Sequence, residues 1–419
     1  MGFAQGVSGL NAAASNLDVI GNNIANSGTI GFKSGSVQFS DVYAGSRIGL
    51  GTQVSGVSQN FTSGAVQSST RALDVAITNG DGFFRLASPG GEIAYSRNGQ
   101  FNLDKDGFLV NAAGLQLTGF QVGANGAIAG GAPTALQFPT TGMEPKPTDA
   151  ITAQFNLDSR STAIPAATAF DAKNPASYNY SNSVTVFDSL GNSHELATFF
   201  VKTAPNTWNA YATADGQPLA TGGAFAPAPP AAGSNGTPIA IGVAFDTVGK
   251  MTAPANGLLN FANLQFPNGS APMVFDVNIT GTTQFGNDNQ VNKLTQTGYT
   301  SGVLTSYAIN QDGIVTGKYS NKQSNPLGQI VLSSFINPNG LQSKGDNVWA
   351  ETSASGQPLT GTPGSGTKLG ALTSGALEGS NVDLTSELVN LIIAQRTYQA
   401  NAQTVKTQDQ VMQTLINMR

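Results

Sequence analysis

NNIANSGTIGFKSG, residues 22–35, closes a run in which Leu10, Ala13, Leu17, Ile20 and Ile24 recur at spacings of three and four. That spacing puts the five side chains on one stripe of a helix, and Gly28 and Gly31 bring the helix to a stop. Asn22, Asn23 and Asn26 stand where the last carbonyls of a helix lack partners, and their side-chain amides can donate to them. Phe32 is expected to fix the departing chain by burial. With no catalytic group in it, the stretch reads as a joint where a helix ends and another kind of structure begins.

The opposite end carries a longer pattern. Leu384, Leu388, Leu391, Gln395, Tyr398, Ala402, Val405, Asp409, Met412 and Ile416 alternate steps of four and three without a break, which is a sustained heptad. Asn381 or Asp383 can cap its start, Glu387 follows in the first turn, and a helix from there to Asn417 is a rod of about 50 Å. No proline precedes Pro89 and none follows Pro363. A stripe of this kind must pack on another helix, and the N-terminal one, from the same chain or a neighbour, is the first candidate; an ordinary long core helix is the alternative.

Between the ends the pattern is β. FNLDKDGFLVN (101–111), VTVFDSLGNSHELATFF (184–200) and YAINQDGIVTGKYSN (307–321) each read as a hairpin turning on Asp-Gly or Gly-Asn. Stretches 130–150 and 222–240 are dense in proline, glycine and small residues, marking a domain boundary near 147, with its return near 287, and a surface loop inside the insert. The expected fold is mainly β with paired, coiled-coil-like terminal α-helices, and two β domains nested by insertion between the helical ends.

Charged residues make up only 10% of the 419, glycine takes 51 positions, the formal net charge is −5 and the pI is about 4.9. Surfaces that are polar but nearly uncharged suit subunits packed against one another, since a buried charge needs a partner. With no basic run, neither nucleic acid nor an anionic membrane is an expected partner. There is no cysteine, which removes disulfides, thiolate chemistry and cysteine-held zinc. No apolar run approaches the roughly 20 residues of a membrane span, and residues 1–20 lack both a basic start and a continuous apolar stretch, so no cleaved signal peptide is expected.

Catalytic constellations fail one by one. His194 is the lone histidine, without the partners a triad or zinc set needs, and reads as a plain surface residue. Asp104-Lys105-Asp106-Gly107 opens like a calcium loop but runs into a strand pattern at Phe108-Leu109-Val110, so it is read as a turn. Gly364-Ser365-Gly366-Thr367-Lys368 misses phosphate-loop spacing. Carboxylates meeting in space could still build a glycosidase-like site, yet nothing singles a pair out. No cofactor, metal or enzymatic activity is expected.

SGLNAAASNLDVIGNNIANSGTIGFKSG (8–35) and SNVDLTSELVNLIIAQRTYQANAQTVKTQDQVMQTLINMR (380–419) resemble the N- and C-terminal signatures of the bacterial flagellar rod and hook family. Segments 55–86 and 327–356, with the overall length, look like its hook members. The resemblance implies a terminal helical domain (1–30 and 371–419) lining a tube, a linking region (31–70), an inner β domain (71–146 and 288–365) and an inserted outer β domain (147–287). It implies subunit packing through Leu10, Leu17, Ile20, Ile24, Leu384, Leu388, Leu391, Tyr398, Val405, Met412 and Ile416, with Asn22, Asn23, Ile24, Ala25, Asn26, Gly31, Phe32 and Lys33 as the family's joint motif. The implied function is a structural subunit that polymerises into a short curved tube, a universal joint passing torque from rod to filament. The implied partners are further copies of the chain, the distal rod protein at the base, the hook cap, the hook-filament junction protein at the tip and the flagellar type III export apparatus. The implied location is extracellular, in the flagellum. A distal rod protein is the alternative within the family, and a secreted β-rich adhesin or hydrolase the alternative from outside it.

Overall fold

The computed structural model describes residues 2–42, 51–123, 126–139, 141–219, 239–261, 264, 266 and 268–417. The proline-rich stretch expected to be a surface loop therefore lies, apart from residues 239 and 240, outside the described residues. Helix α1 spans Gly2–Ala25 and helix α2 spans Leu384–Asn417; strands dominate the regular structure between them. Asp383 caps α2: its Oδ1 accepts from the backbone N–H of Thr385 at 2.9 Å and of Ser386 at 3.2 Å. Asn381, the other candidate, instead donates to the Asn60 carbonyl at 2.7 Å. Residues 371–378, which the resemblance assigned to the terminal helical domain ahead of the capped helix, form strands: Ala371–Ser374 pairs with Val75–Thr78 and Ala376–Glu378 with Val66–Ser68. Leu372 and Leu377 are buried in these strands.

The chain divides into two compact units, the first comprising Met1–Thr140, Thr305–Lys318 and Ser324–Arg419. The first unit includes a two-stranded antiparallel ribbon, β1 (Gly35–Asp41) and β2 (Thr52–Gln59), with an irregularity between Gln38 and Phe39. Its β core is sealed by Phe83, Tyr95, Phe335 and Trp349, with Phe61 packed against them. The rings meet edge-on, Phe61 on Trp349 at 5.7 Å and Tyr95 on Phe335 at 4.7 Å, a preferred aromatic geometry.

The second unit comprises Thr141–Leu304 and Tyr319–Gln323. Ala150–Asp158 runs parallel to Asp276–Asn278 and Thr283–Phe285 and antiparallel to Gln290–Gln296. A second sheet is the antiparallel succession Tyr180–Phe187, Ser193–Ala204, Thr207–Ala214, Ile241–Phe245 and Met251–Ala253. Phe155, Phe200 and Trp208 fill the core between inward-facing Val, Leu and Ala, and the Trp208 indole N–H donates to Gln284 Oε1 at 2.8 Å. Boundaries were expected at 147 and 287; by contacts the second unit begins at Thr141, runs to Leu304 and takes in Tyr319–Gln323 as well. Residues 290–296 belong to a strand of this unit, and Met143 and Gly302 exchange backbone hydrogen bonds of 2.7 and 3.1 Å.

All three expected hairpins are present. In the first, Asp104 Oδ1 accepts from the N–H of Asp106 and Phe108 at 2.9 and 2.8 Å, so that carboxylate serves its own turn.

Candidate assembly interface

Where α1 ends, Asn26 does what its position suggests: its amide donates to the Asn22 carbonyl at 2.9 Å and to the Asn22 side chain at 3.0 Å. Asn23 does something else. It is buried and makes a reciprocal pair with the backbone of Gly35, donating at 2.8 Å and accepting at 2.9 Å. The first residue of β1 is thereby clamped back onto the helix. Asn23 also donates to Glu387 Oε1 at 3.2 Å, which ties the ends of the two helices. Ile24 is half-buried, Ala25 exposed. Gly31 has φ of +71°, and a Cβ there would stand 2.7 Å from the Asn98 nitrogen, so both conformation and space demand glycine.

Phe32, expected to be the buried anchor, is only half-buried. The anchor is its neighbour Lys33. Its Nζ lies 2.6 Å from Glu378 Oε1, both side chains showing 0% exposure, and it also donates to the Thr62 carbonyl at 2.8 Å. The other Glu378 oxygen accepts from Arg97 Nη1 at 3.2 Å, Oε1 accepts from Gly64 N–H at 3.0 Å, and the Glu378 carbonyl accepts from Gly31 N–H at 2.8 Å. The Arg97 guanidinium also lies 5.1 Å above the Phe83 ring. Burial lowers the Lys33 pKa; Glu378 opposes that shift and Arg97 adds to it. Burial likewise lowers Arg97 against the pull of Glu378. Two buried cations on one carboxylate hold together the exit of α1, the return of the linker, the β core and the approach to α2. Sequence reading missed Glu378 and Arg97. The usable signal was an isolated charge among small residues in GALEGS (375–380) in a chain so poor in charge.

The helices pair antiparallel. A Cβ on Gly6 would meet Val405 at 2.9 Å, one on Gly9 would meet Asn401 at 2.8 Å, and Asn23 reaches Glu387 at the other end. Ala12, Ala13 and Ile20 of α1 are buried, as is Ala394 of α2. The less exposed side of α2 runs through Glu387, Leu391, Ala394, Asn401, Val405 and Gln408, only partly the apolar stripe. Of the expected packing residues, Ile20 is buried and Leu10, Leu17, Ile24, Leu391 and Val405 half-buried, while Leu384, Leu388, Tyr398, Met412 and Ile416 are exposed. Ile416 reaches 70% and Met412 58%. Glycine, alanine and asparagine at the seam let the backbones approach closely, which turns the larger apolar side chains outward. The exposed apolar side chains of α2 lie mainly in its first turns, Leu384 to Ile393, and its last, Val411 to Ile416.

His194 is not a plain surface residue: its side chain is 11% exposed. Its ring stacks on Phe266, with Asp215 Oδ2 at 2.7 Å from Nδ1 and Asp188 Oδ2 at 3.4 Å from Nε2. Burial tends to raise the Asp188 pKa, but hydrogen bonds from Asn192, Asn268 and His194 outweigh it and hold the carboxyl well below its ordinary value. Among the described residues no group of three or more His, Asp or Glu is placed to hold a metal, and no helix is long and apolar enough to cross a membrane.

Four family profiles match the chain. They are described as flagella basal body rod protein (5–33), flagellar hook protein FlgE/F/G D1 domain (76–159), flagellar basal body protein FlaE D2 domain (156–299) and flagellar basal body rod FlgEFG protein C-terminal (373–418). The chain is 49% identical to flagellar hook protein FlgE of Escherichia coli K12 over all of both chains. It is 34% identical to that of Borreliella burgdorferi over 99% of this chain and 98% of the other. Among solved structures, flagellar hook protein FlgE2 of Helicobacter pylori aligns with a TM-score of 0.47 at 15% identity, covering 74% of this chain and 99% of that one.

Proposed function

The chain belongs to the flagellar hook protein family, and from that premise we propose that it is the structural subunit of the hook, polymerising into a short curved tube that transmits torque from rod to filament. The family is structural and not enzymatic. The observation that carries the reading is the bare apolar side of α2, a 34-residue helix that a lone chain would have no reason to leave facing water. The helix pair forms the inner wall, packed between copies through Leu384, Leu388, Tyr398, Met412 and Ile416. The unit 141–304, inserted in the chain between parts of the first, is the outer domain, whose contacts slide as the tube bends. Low charge suits such contacts, because exchanged neutral hydrogen bonds are close to isoenergetic.

The other partners we assign are the distal rod protein at the base, the hook cap during growth and the junction protein at the tip. Delivery outside the cell is by the flagellar type III export apparatus. Because α1 is half of the packed pair, the exported subunit keeps it, and intact mass of protein from sheared hooks tests this: loss of twenty or more N-terminal residues would overturn the export route. Electron microscopy of the assembled chain tests the function itself. Curved tubes are expected; straight rods would indicate a rod component, and a persistently monomeric protein would remove the reading.

A further inference from the structure

A cleft of about 670 Å³ lies between α1, α2 and the β1–β2 ribbon. Its lining combines small residues, Gly9, Ala12, Ala13 and Gly35 among them, with apolar ones such as Val19 and Phe39. Glu387 is its one charged lining residue. On another side of α2, Val389, Ile392 and Arg396 follow one another at steps of three and four. They form a ridge on one helix face, and Val389 and Ile392 are 52% and 51% exposed. Arg396 is exposed and forms none of the ion pairs among the described residues.

We infer that the cleft receives the Val389–Ile392–Arg396 ridge of a second copy of this chain, with Arg396 of the incoming copy paired to Glu387. The inference rests on the hook reading for the existence of a second copy; the site, the inserted segment and the charge pair come from the geometry. A chain cannot fill its own cleft this way. Ile393 already lines the cleft, and Ile392 projects about 100° around the same helix. Sizes and polarity match, since a cleft of about 670 Å³ with Val19 and Phe39 in its lining has room and apolar contacts for two branched side chains. Charge matches too, because Arg396 stands one turn beyond Ile392, about 6 Å along the axis. Ridge and cleft are different surfaces of one molecule, and in the tube that the hook reading calls for their contact is head-to-tail. A head-to-tail association closes into a ring if its rotation divides the circle and otherwise propagates as an open helical filament, the outcome a tube requires.

The chain has no cysteine, so engineered thiols report this contact without background. Tubes co-assembled from Ser36→Cys and Ile392→Cys subunits, oxidised and run on a non-reducing gel, should give a band of twice the subunit mass that neither variant gives alone. Thr52→Cys with Val389→Cys is a second pair, should the first assemble poorly. Well-formed mixed tubes without the linked band for either pair overturn the inference and leave the hook reading intact. Failure of the unmodified chain to form tubes counts against the hook reading itself. Arg396→Glu, exposed in the single chain, should raise the critical concentration for assembly roughly tenfold, as loss of a partly buried ion pair predicts. Adding Glu387→Lys should restore it. Assembly indifferent to both changes would remove the charge pair.

Discussion

Glu378 is a carboxylate with no exposure whose oxygens answer Lys33, Arg97 and the backbone of Gly64. Removing its charge strands two buried cations, and breaking one side of such a cluster costs about 3–5 kcal/mol. Glu378→Gln should lower the stability of the first unit by that order, measured by urea denaturation followed on Trp349 fluorescence in a Trp208→Phe background. An unchanged midpoint would mean that the cluster has relaxed open to water. In the second unit, Asp188 gives a pH dependence. Its folded-state pKa lies below the ordinary 3.8, so the folded protein binds fewer protons there than the unfolded one. The stabilisation is complete above 3.8 and is lost as pH falls through the folded-state value. Asp188→Asn should therefore cost about 2 kcal/mol at neutral pH, with the gap to the parent closing below pH 3.8 in thermal melts; a gap that stays constant would rule this carboxylate out as the source. At this scale the sequence was half legible. The joint and the need for Gly31 could be read locally, but Phe32 was taken for the anchor in place of Lys33. The partner that makes burial of a lysine tolerable lies 345 positions away.

The helices were legible as elements, but which of their faces meet within one chain was not. Steps of three and four announce α2, and Asp383 announces its start, yet the seam with α1 prefers Ala394 and Asn401 to the larger apolar residues. Periodicity identifies a helix; it does not say whether its apolar side meets the same chain or another, and here close approach at Gly6 and Gly9 decided. Leu388 is 45% exposed, so Leu388→Asp should change the melting of the single chain by no more than about 0.5 kcal/mol. In a packed wall the same carboxylate is buried without a partner at a cost of several kcal/mol per subunit. Sedimentation and microscopy should find folded monomer and no tubes; normal tubes would show that this side of α2 faces open water in the polymer too.

At the scale of the molecule, the β character of the middle and its hairpins were legible from turn residues. The limits of the insert were not, because strand 290–296 looks from sequence alone like any other and is assigned only by its pairing with 150–158. Since Met143 and Gly302 exchange backbone hydrogen bonds, the ends of the insert are adjacent, and a short turn can replace residues 144–301. That deletion should still yield tubes, with altered curvature or bending stiffness by microscopy; complete loss of polymer from a folded remainder would show that the insert builds the wall as well. The cluster around Glu378 has a mechanical consequence. A twist applied at the helical pair can reach the β core of the first unit along the chain that leaves α1 and the chain that approaches α2, and one carboxylate fastens both crossings to Arg97. Two lines of force share a single rivet, so a subunit pulled between its helices and that core should give way there in one step, with both strands released together.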